Sequence, residues 1–306
     1  MFFAFSLIIS FFISLFPLDF PLRYAILILI RKEGIFTVQF NRYKNGALRA
    51  LTMSFDDGRK QDEGLAEMFN RYDIKSTFHL IGSRYRDMSD EQLKAVADIY
   101  RGHEVSCHTI NHPHMEHMPL SLCTKEIVED RAILEKMCGY VVRGMSYPFG
   151  TYDSEVIYAM KAGGMLYSRT VNSTGWFYLP KDFMQWDPTT HFCSDLDEKW
   201  QRFSTITWIN LPVFYIWGHS YELDSHENEW QIFEEFCKKI SHAETVWFAT
   251  NIEIYDYITA LRGLQFSWDR RLVYNPSATD VWVEVDKEAV RIGGGETVDL
   301  GVSASR

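Results

Sequence analysis

Short apolar runs that alternate with helical patterns are the feature that most constrains the fold of this chain. Seven runs have the length and composition of strands, at residues 51–55, 77–81, 104–107, 141–147, 165–170, 213–217 and 246–249. Helical patterns fill several of the intervals, at residues 61–72, 89–100, 120–137, 154–162, 226–240 and 252–261. This alternation predicts a parallel sheet. With 306 residues and 46% hydrophobic content, the chain is long enough for one large α/β core.

Two strings of acidic and histidine residues follow two of these runs. Asp56 and Asp57 end the first run before Gly58, while His108 and His112 follow the third. Catalytic zinc usually has three protein ligands, and one carboxylate with two histidines is such a set. Asp57 and the two histidines would supply it, which leaves Asp56 as a base. Neighbouring strand residues point to opposite faces, so the two carboxylates can share a site only where Gly58 breaks the strand.

Together the strings resemble the first two motifs of the NodB-homology polysaccharide deacetylases, carbohydrate esterase family four. Those motifs read Thr/Ser-Phe-Asp-Asp-Gly and His-Thr/Ser-x-x-His, and residues 54–58 and 108–112 match both in full. The resemblance extends over residues 48–265. It implies a distorted β/α barrel of about seven strands, with the active site at the carboxyl ends of the strands.

The resemblance also implies a reaction and a role for each motif residue. The reaction is removal of N-acetyl groups from an N-acetylated carbohydrate of the chitin-oligosaccharide or peptidoglycan type, with release of acetate. Asp56 would be the catalytic base. The cofactor would be a divalent metal, zinc by expectation and cobalt or another divalent ion as the alternative. Its implied ligands are Asp57, His108 and His112.

The third family motif, usually Arg-x-Pro-Tyr-Gly, is only partly present. In the family its Arg orients the base, and the backbone N–H after Pro helps to bind the oxyanion. Residues 143–150 read Arg-Gly-Met-Ser-Tyr-Pro-Phe-Gly, so Phe149 keeps the main-chain role whereas Ser146 stands at the Arg position. Arg143 can match only if the loop is longer. The candidates here for orienting the base or binding the substrate are Arg143, Tyr147 and Pro148.

A later histidine matches the fifth motif, usually Leu-x-His, which protonates the leaving amine. The apolar run 213–217 is followed by Gly218 and His219, so the resemblance implies that His219 is the general acid. The fourth motif normally gives an Asp and a Trp that position this histidine. Residues 182–188 contain both residue types, although not in the usual order. The candidates for this role are Trp186, Asp187 and His191.

Charge and composition limit the partners. The net charge of −10 disfavours a nucleic-acid partner, and a neutral glycan needs no basic surface. A non-glycan small amide, hydrolysed by the same site, is the alternative substrate, and the missing Arg before Pro148 favours it. A glycan-binding homologue without catalysis is a further alternative. An aromatic-rich segment, residues 171–204, is either a substrate-binding lid or a long loop packed onto the barrel.

We divide the chain into three parts. Residues 35–264 would form the catalytic domain. Residues 265–306 would form a small β appendage, because residues 281–285 alternate and residues 293–295 form a glycine turn. Residues 1–34 are an apolar segment of either of two kinds. One is a membrane anchor, although its apolar run is shorter than the usual span.

The other kind is an overextended translation start, which we favour. Residues 31–34 can be encoded by a purine-rich string that looks like a bacterial ribosome-binding site. The five cysteines are scattered and odd in number, which suggests free thiols in a reducing compartment. We therefore expect a cytoplasmic protein, with a membrane-anchored one as the alternative if the segment is real protein.

Overall fold

The computed structural model describes residues 37–225 and 227–303, and a curled parallel sheet lies at its centre. Its strands are β1 (Val38–Gln39), β2 (Arg49–Asp57), β3 (Thr77–Leu80), β4 (Glu104–Cys107), β5 (Gly144–Ser146), β6 (Tyr167–Arg169), β7 (Thr190–His191), β8 (Val213–His219), β9 (Val246–Phe248), β10 (Gln265–Phe266), β11 (Leu272–Tyr274), β12 (Val281–Val285), β13 (Glu288–Ile292) and β14 (Thr297–Asp299). The longer helices are α1 (Asp62–Arg71), α2 (Asp90–Ile99), α3 (Leu120–Cys138), α4 (Ser154–Ala162), α5 (Leu196–Thr205), α6 (Glu229–Ile240) and α7 (Asn251–Arg262).

The central sheet is parallel throughout. Seven strands lie in the order β6-β5-β4-β3-β2-β8-β7, and β9 pairs with β2 beside this row. Every residue of β2 is buried, as expected for a strand that is covered on both faces. Along one edge β2 pairs with β8, and along the other edge it pairs first with β9 and then with β3. This distorted half-barrel confirms the predicted fold class.

Most helices begin and end where the sequence patterns predict. Ser89 and Gln92 form a capping box at the start of α2. The Asp153 side chain caps α4 by accepting hydrogen bonds from the backbone N–H groups of Glu155 and Val156. The predicted helix from residue 226 instead begins at Glu229, and residue 226 lies outside the described residues.

The aromatic segment 171–204 contains regular structure that the sequence pattern did not reveal. Its strand β7 has only two residues, too few to show an alternation of apolar and polar residues. Helix α5 begins at Leu196, and the side chain of Asp195 caps it. Some of its aromatics are core residues, including Phe177, while Trp176 and Tyr178 are exposed on its surface. The segment therefore packs onto the barrel through one set of aromatics and presents another set to solvent.

The predicted C-terminal β structure is present as two small antiparallel sheets. Their strand orders are β10-β11-β14 and β1-β12-β13. The second sheet therefore includes β1, which precedes the barrel in the sequence. Val283 of β12 and Tyr215 of β8 belong to the same hydrophobic cluster. The boundaries of the three predicted parts stay predictions, and residues 1–34 lie outside the described residues. Within residues 37–225 and 227–303, no helix is both long and apolar enough to span a membrane.

Candidate active site

The carboxyl ends of the central strands bring the predicted polar residues together. In the sheet register, Asp56 at the end of β2 pairs with His79 of β3 on one side and with His219 of β8 on the other. His108 directly follows the end of β4. These ends line a groove of about 900 Å³.

The backbone turns sharply at the paired carboxylates. Asp57 has a φ of 84° and Gly58 a φ of 67°, both in the left-handed region. The break in the strand therefore begins at Asp57, one residue earlier than the glycine that we expected to supply it. A positive φ is unusual for a residue other than glycine and is found at functional sites. This turn lets Asp56 and Asp57 line the same groove.

Three side chains of the two motifs form a cluster that suits a divalent cation. Nε2 of His108 and Nε2 of His112 each lie 3.7 Å from Oδ1 of Asp57. This Oδ1 is buried and has no hydrogen-bond partner among the described residues, which is costly unless a cation or donor satisfies it. Burial lowers the pKa of both imidazoles, that of His108 to about 4, and neutral imidazole is the form that binds metal. The donor set therefore fits the metal that the motifs imply.

The cluster is held by contacts behind it. Nδ1 of His108 lies 2.9 Å from the backbone oxygen of Ser146, which turns Nε2 towards Asp57. The buried carboxylate of Asp130 on α3 accepts hydrogen bonds from the backbone N–H groups of His108 at 2.9 Å and Gly82 at 2.6 Å. One carboxylate thus ties together the loops that follow β3 and β4.

The carboxylate of Asp56 is buried among groups that favour its charged form. Its Oδ2 accepts a hydrogen bond from Nη2 of Arg169, and its Oδ1 accepts one from the Ser146 hydroxyl at 3.1 Å. Nδ1 of His79 lies 3.3 Å from the same Oδ1. Burial alone would raise the pKa of Asp56, but Arg169, His108 and His79 hold it well below its usual value.

Arg169 contacts the carboxylate of Asp56, which is the contact that the sequence suggested for Arg143. It is fully buried at the end of β6, with its guanidinium carbon 4.4 Å from the centre of the Trp217 ring. Arg143 precedes β5 and thus lies at the amino end of its strand, where it pairs with Asp256 at 2.7 Å. Arg143 therefore lies at the opposite end of the strands from Asp56, and this placement does not support the orienting role considered for it.

His219 is held by a carboxylate that the sequence analysis did not single out. Oε2 of Glu222 lies 3.2 Å from Nδ1 of His219 and accepts a hydrogen bond from the His219 backbone N–H at 2.9 Å. Burial alone would lower the pKa of His219, but Glu222 together with Asp56 and Asp57 raises it above its usual value.

Of the three residues considered for positioning this histidine, only His191 contacts its partner. Nε2 of His191 lies 3.1 Å from Oε2 of Glu222. Trp186 is buried in the core against Tyr167 and Tyr215, and the carboxylate of Asp187 accepts a hydrogen bond from the Thr170 hydroxyl. These contacts do not support the positioning roles considered for Trp186 and Asp187, because Trp186 packs in the core and Asp187 contacts a loop residue.

The residues of the third motif lie along the wall of the groove. Pro148 begins a short turn, and Phe149 within it has a φ of 55°. The Phe149 ring is stacked 4.0 Å from that of His114. Tyr147 lines the groove and donates a hydrogen bond to the backbone oxygen of Met184 at 2.8 Å.

Four residues of this arrangement escaped the sequence analysis: His79, Asp130, Arg169 and Glu222. His79 and Arg169 are polar residues within apolar runs, which was the signal available for them. Glu222 follows His219 by three residues, the spacing of a capping contact. The position of Asp130 on a helix gave no such signal.

Comparisons with known proteins identify the same family as the motifs. Residues 44–168 match the model of the polysaccharide deacetylase family. A peptidoglycan-N-acetylglucosamine deacetylase of Bacillus cereus is 22% identical over 129 residues, which cover 41% of this chain and 46% of that protein. A chitooligosaccharide deacetylase of Bradyrhizobium sp. is 24% identical over 134 residues, which cover 43% of this chain and 60% of that protein. The chain thus spans less than two thirds of the length of either relative.

A solved structure shares the fold. A Mycobacterium smegmatis protein assigned to the polysaccharide deacetylases superimposes with a TM-score of 0.56 at 15% identity, over 72% of this chain and 93% of that one. The superposition covers a larger share of the chain than the family match does. The motifs and the match place residues 44–168 in the polysaccharide deacetylase family.

Proposed function

We propose that this chain is a metal-dependent hydrolase that removes N-acetyl groups from an N-acetylated carbohydrate and releases acetate. The observation that carries the proposal is the buried Asp56 carboxylate, held ionised by Arg169 beside a set of metal-ligand residues and next to His219 in the sheet register. Relatives named for deacetylation of peptidoglycan and chitooligosaccharides support the carbohydrate class.

Different residues of the site have different roles in breaking the amide bond. A divalent metal held by Asp57, His108 and His112 would lower the pKa of a bound water and polarise the acyl oxygen. Asp56 accepts the proton of the attacking water as the new C–O bond forms. The backbone N–H of Phe149 stabilises the developing oxyanion, and such a donor is typically worth about 3 kcal/mol.

The second half of the reaction needs an acid. His219 protonates the sugar nitrogen as the C–N bond breaks, which releases acetate and a free amine. Its raised pKa keeps it protonated to a higher pH than an ordinary histidine. A positioned acid of this kind contributes on the order of 10²–10⁴-fold to the rate. Arg169 positions the base, and Glu222 positions the acid.

Separating metal binding from turnover tests the proposal. Asp57→Ala removes a ligand, so we expect the purified protein to lose bound zinc or cobalt and all activity. Asp56→Asn keeps the ligands and removes the base, so metal content should stay near one ion per chain while acetate release from N-acetylglucosamine oligomers falls by several orders of magnitude. Equal metal loss in both variants would contradict the assigned roles.

The two alternative functions are decided by the same assay. The apparent lack of an Arg near the base favoured a small-amide substrate, but Arg169 supplies that contact. Acetate release from small N-acetylated amines, faster than from oligosaccharides, would establish the amide hydrolase instead. If the metal-loaded protein binds oligosaccharides but deacylates neither class, the chain is a glycan-binding homologue.

A further inference from the structure

One side of the groove is basic, although acidic residues outnumber basic ones in the chain by ten. Next to the groove lies a recess of about 470 Å³, lined by Gly58, Arg59, Lys60, Gln61, Arg84 and Tyr221. Arg59, Arg84 and Tyr221 also line the groove that contains Asp56 and Asp57. The recess is therefore continuous with the candidate active site.

Two of the three cations in this recess form no close ion pair. Within the described part of the chain, neither Lys60 nor Arg84 has a carboxylate within 4.0 Å, and both side chains are exposed. The nearby carboxylate of Asp224 accepts hydrogen bonds from Gln61 at 2.7 Å and Trp230 at 2.8 Å, and these bonds together with the charge of Lys60 lower its pKa. Arg84 is therefore the cation of the recess that is most available to a ligand.

Arg59 connects the recess to the candidate metal site. It donates hydrogen bonds to Oδ2 of Asp57 at 3.2 and 3.3 Å, and its guanidinium carbon lies 5.4 Å from the centre of the Tyr221 ring. These contacts fix the guanidinium between the carboxylate and the aromatic wall. An aromatic face beside fixed cations suits a sugar that carries an anionic substituent, because guanidinium groups bind carboxylates and phosphates in a paired geometry.

The local acidic groups compensate the recess only in part. Asp57 pairs with Arg59 but is also a candidate metal ligand, so a bound divalent ion would add further positive charge. Asp56 is paired with Arg169, and Glu222 is engaged by His191 and His219. This side of the groove therefore keeps a net positive charge around Arg84.

We propose that this basic recess binds an anionic group on the substrate, next to the acyl group that is cleaved. The proposal rests on the proposed function and narrows it: the substrate is an N-acetylated glycan that bears carboxylates or phosphates, rather than the neutral glycan suggested by the charge of the whole chain. Arg84 and Lys60 bind the anion, while Arg59 lies between the anion and the candidate metal site, in contact with Asp57 and Tyr221.

The experiment compares three substrates of matched length. They are a neutral N-acetylglucosamine oligomer, an oligomer that contains N-acetylmuramic acid with free carboxylates, and a 6-phosphorylated N-acetylglucosamine oligomer. We expect kcat/KM to be higher for one or both anionic oligomers. Arg84→Gln should lower that value on the order of tenfold, the effect of losing one charged hydrogen bond, through KM rather than kcat. The ratio of kcat/KM for the anionic oligomer to kcat/KM for the neutral oligomer should fall by a similar factor.

Arg86→Gln is the matched control. Arg86 is exposed two residues further along and pairs with Glu129 at 3.8 Å, outside the recess. We expect this variant to behave as the wild type on all three substrates. The preference for anionic oligomers should also shrink between 0.05 and 0.5 M salt, since screening weakens exposed charges. Which anionic oligomer loses affinity in Arg84→Gln identifies the group as carboxylate or phosphate.

A binding measurement separates failure of this inference from failure of the proposed function. Titration of the metal-loaded Asp56→Asn variant with the same oligomers needs no turnover. Tighter binding of an anionic oligomer that is lost in the Asp56→Asn, Arg84→Gln double variant supports the recess, even if the wild type deacetylates nothing. Equal binding of neutral and anionic oligomers overturns the inference, and it does so even if the wild type releases acetate from all three.

Discussion

The charge balance around Asp56 is the central feature of the site at the scale of single residues. Burial opposes an ionised carboxylate, whereas Arg169 on β6 and the Ser146 hydroxyl on β5 stabilise it. In the family motif an arginine stands where this chain has Ser146. Here the guanidinium comes from the next strand, so the same contact is reached from a different position in the sequence.

Removing Arg169 should destabilise the fold as well as the site. Arg169→Met leaves the buried Asp56 charge unpaired, so we expect the free energy of unfolding to fall by about 3–5 kcal/mol. Arg143→Met is the control, because Arg143 and Asp256 are each about one third exposed and such pairs contribute about 1 kcal/mol or less. Chemical denaturation measures both values. Equal losses would show that Asp56 does not depend on Arg169.

Glu222 should set the alkaline limit of activity. His219 must be protonated to act as an acid, so the rate falls as the pH rises through its pKa. Glu222 raises that pKa, and Glu222→Gln should therefore move the alkaline limb of the pH–rate profile to lower pH. Asp224→Asn, in the same short turn, is the control because Asp224 contacts Gln61 and Trp230 instead. If the alkaline limb of the pH–rate profile stays at the same pH in Glu222→Gln, His219 is not the general acid.

At the scale of elements, the register of parallel strands decides which side chains meet. Asp56 has His79 and His219 as its lateral neighbours because β3 and β8 both pair with β2 in parallel. Arg169 reaches Asp56 from the end of β6, whereas Arg143 precedes β5 and points to a different partner. Residues at the carboxyl ends of strands therefore share the site, and those before a strand do not.

Helix α3 supports the metal cluster through the side chain of Asp130. Asp130→Ala removes the acceptor for the backbone N–H groups of Gly82 and His108. We expect cobalt affinity to fall by about 10–100-fold, the usual cost of losing a residue that supports a metal ligand. Glu129→Ala is the control, since this neighbour is partly exposed and pairs with Arg86 and Lys125 at 3.8 Å rather than with the metal cluster. Metal titration that gives the same affinity for both variants would contradict this supporting role.

At the scale of the whole molecule, the barrel and the C-terminal strands are joined by a shared core. Tyr257 on α7 donates a hydrogen bond to the backbone oxygen of Arg42 at 2.9 Å and accepts one from the backbone N–H of Trp282 at 2.9 Å. A single buried hydroxyl thus connects the segment before the barrel, a barrel helix and β12. The three stretches are distant in sequence.

Losing this hydroxyl should weaken the whole molecule. Tyr257→Phe leaves two buried backbone groups with one partner fewer, so we expect a loss of about 1–3 kcal/mol in the free energy of unfolding. Tyr255→Phe on the same helix is the control, because its hydroxyl makes no hydrogen bond within the described part of the chain. If the C-terminal strands unfold in a separate transition while the barrel signal is unchanged in Tyr257→Phe, the two parts do not share one cooperative core.

The sequence by itself determined the parallel α/β sheet, most element positions and the cluster of Asp56, Asp57, His108 and His112. These follow from local period and from motifs whose members lie a few residues apart. Only the tertiary structure showed that Arg169 contacts Asp56 and that Arg143 lies at the other end of the strands. It also brought Glu222 to His219 and Asp130 to the loops of the metal cluster. The contacts of Arg169 and Asp130 depend on strand register and on packing between distant segments, which no local pattern in the chain encodes, whereas Glu222 meets His219 through the short turn that follows β8.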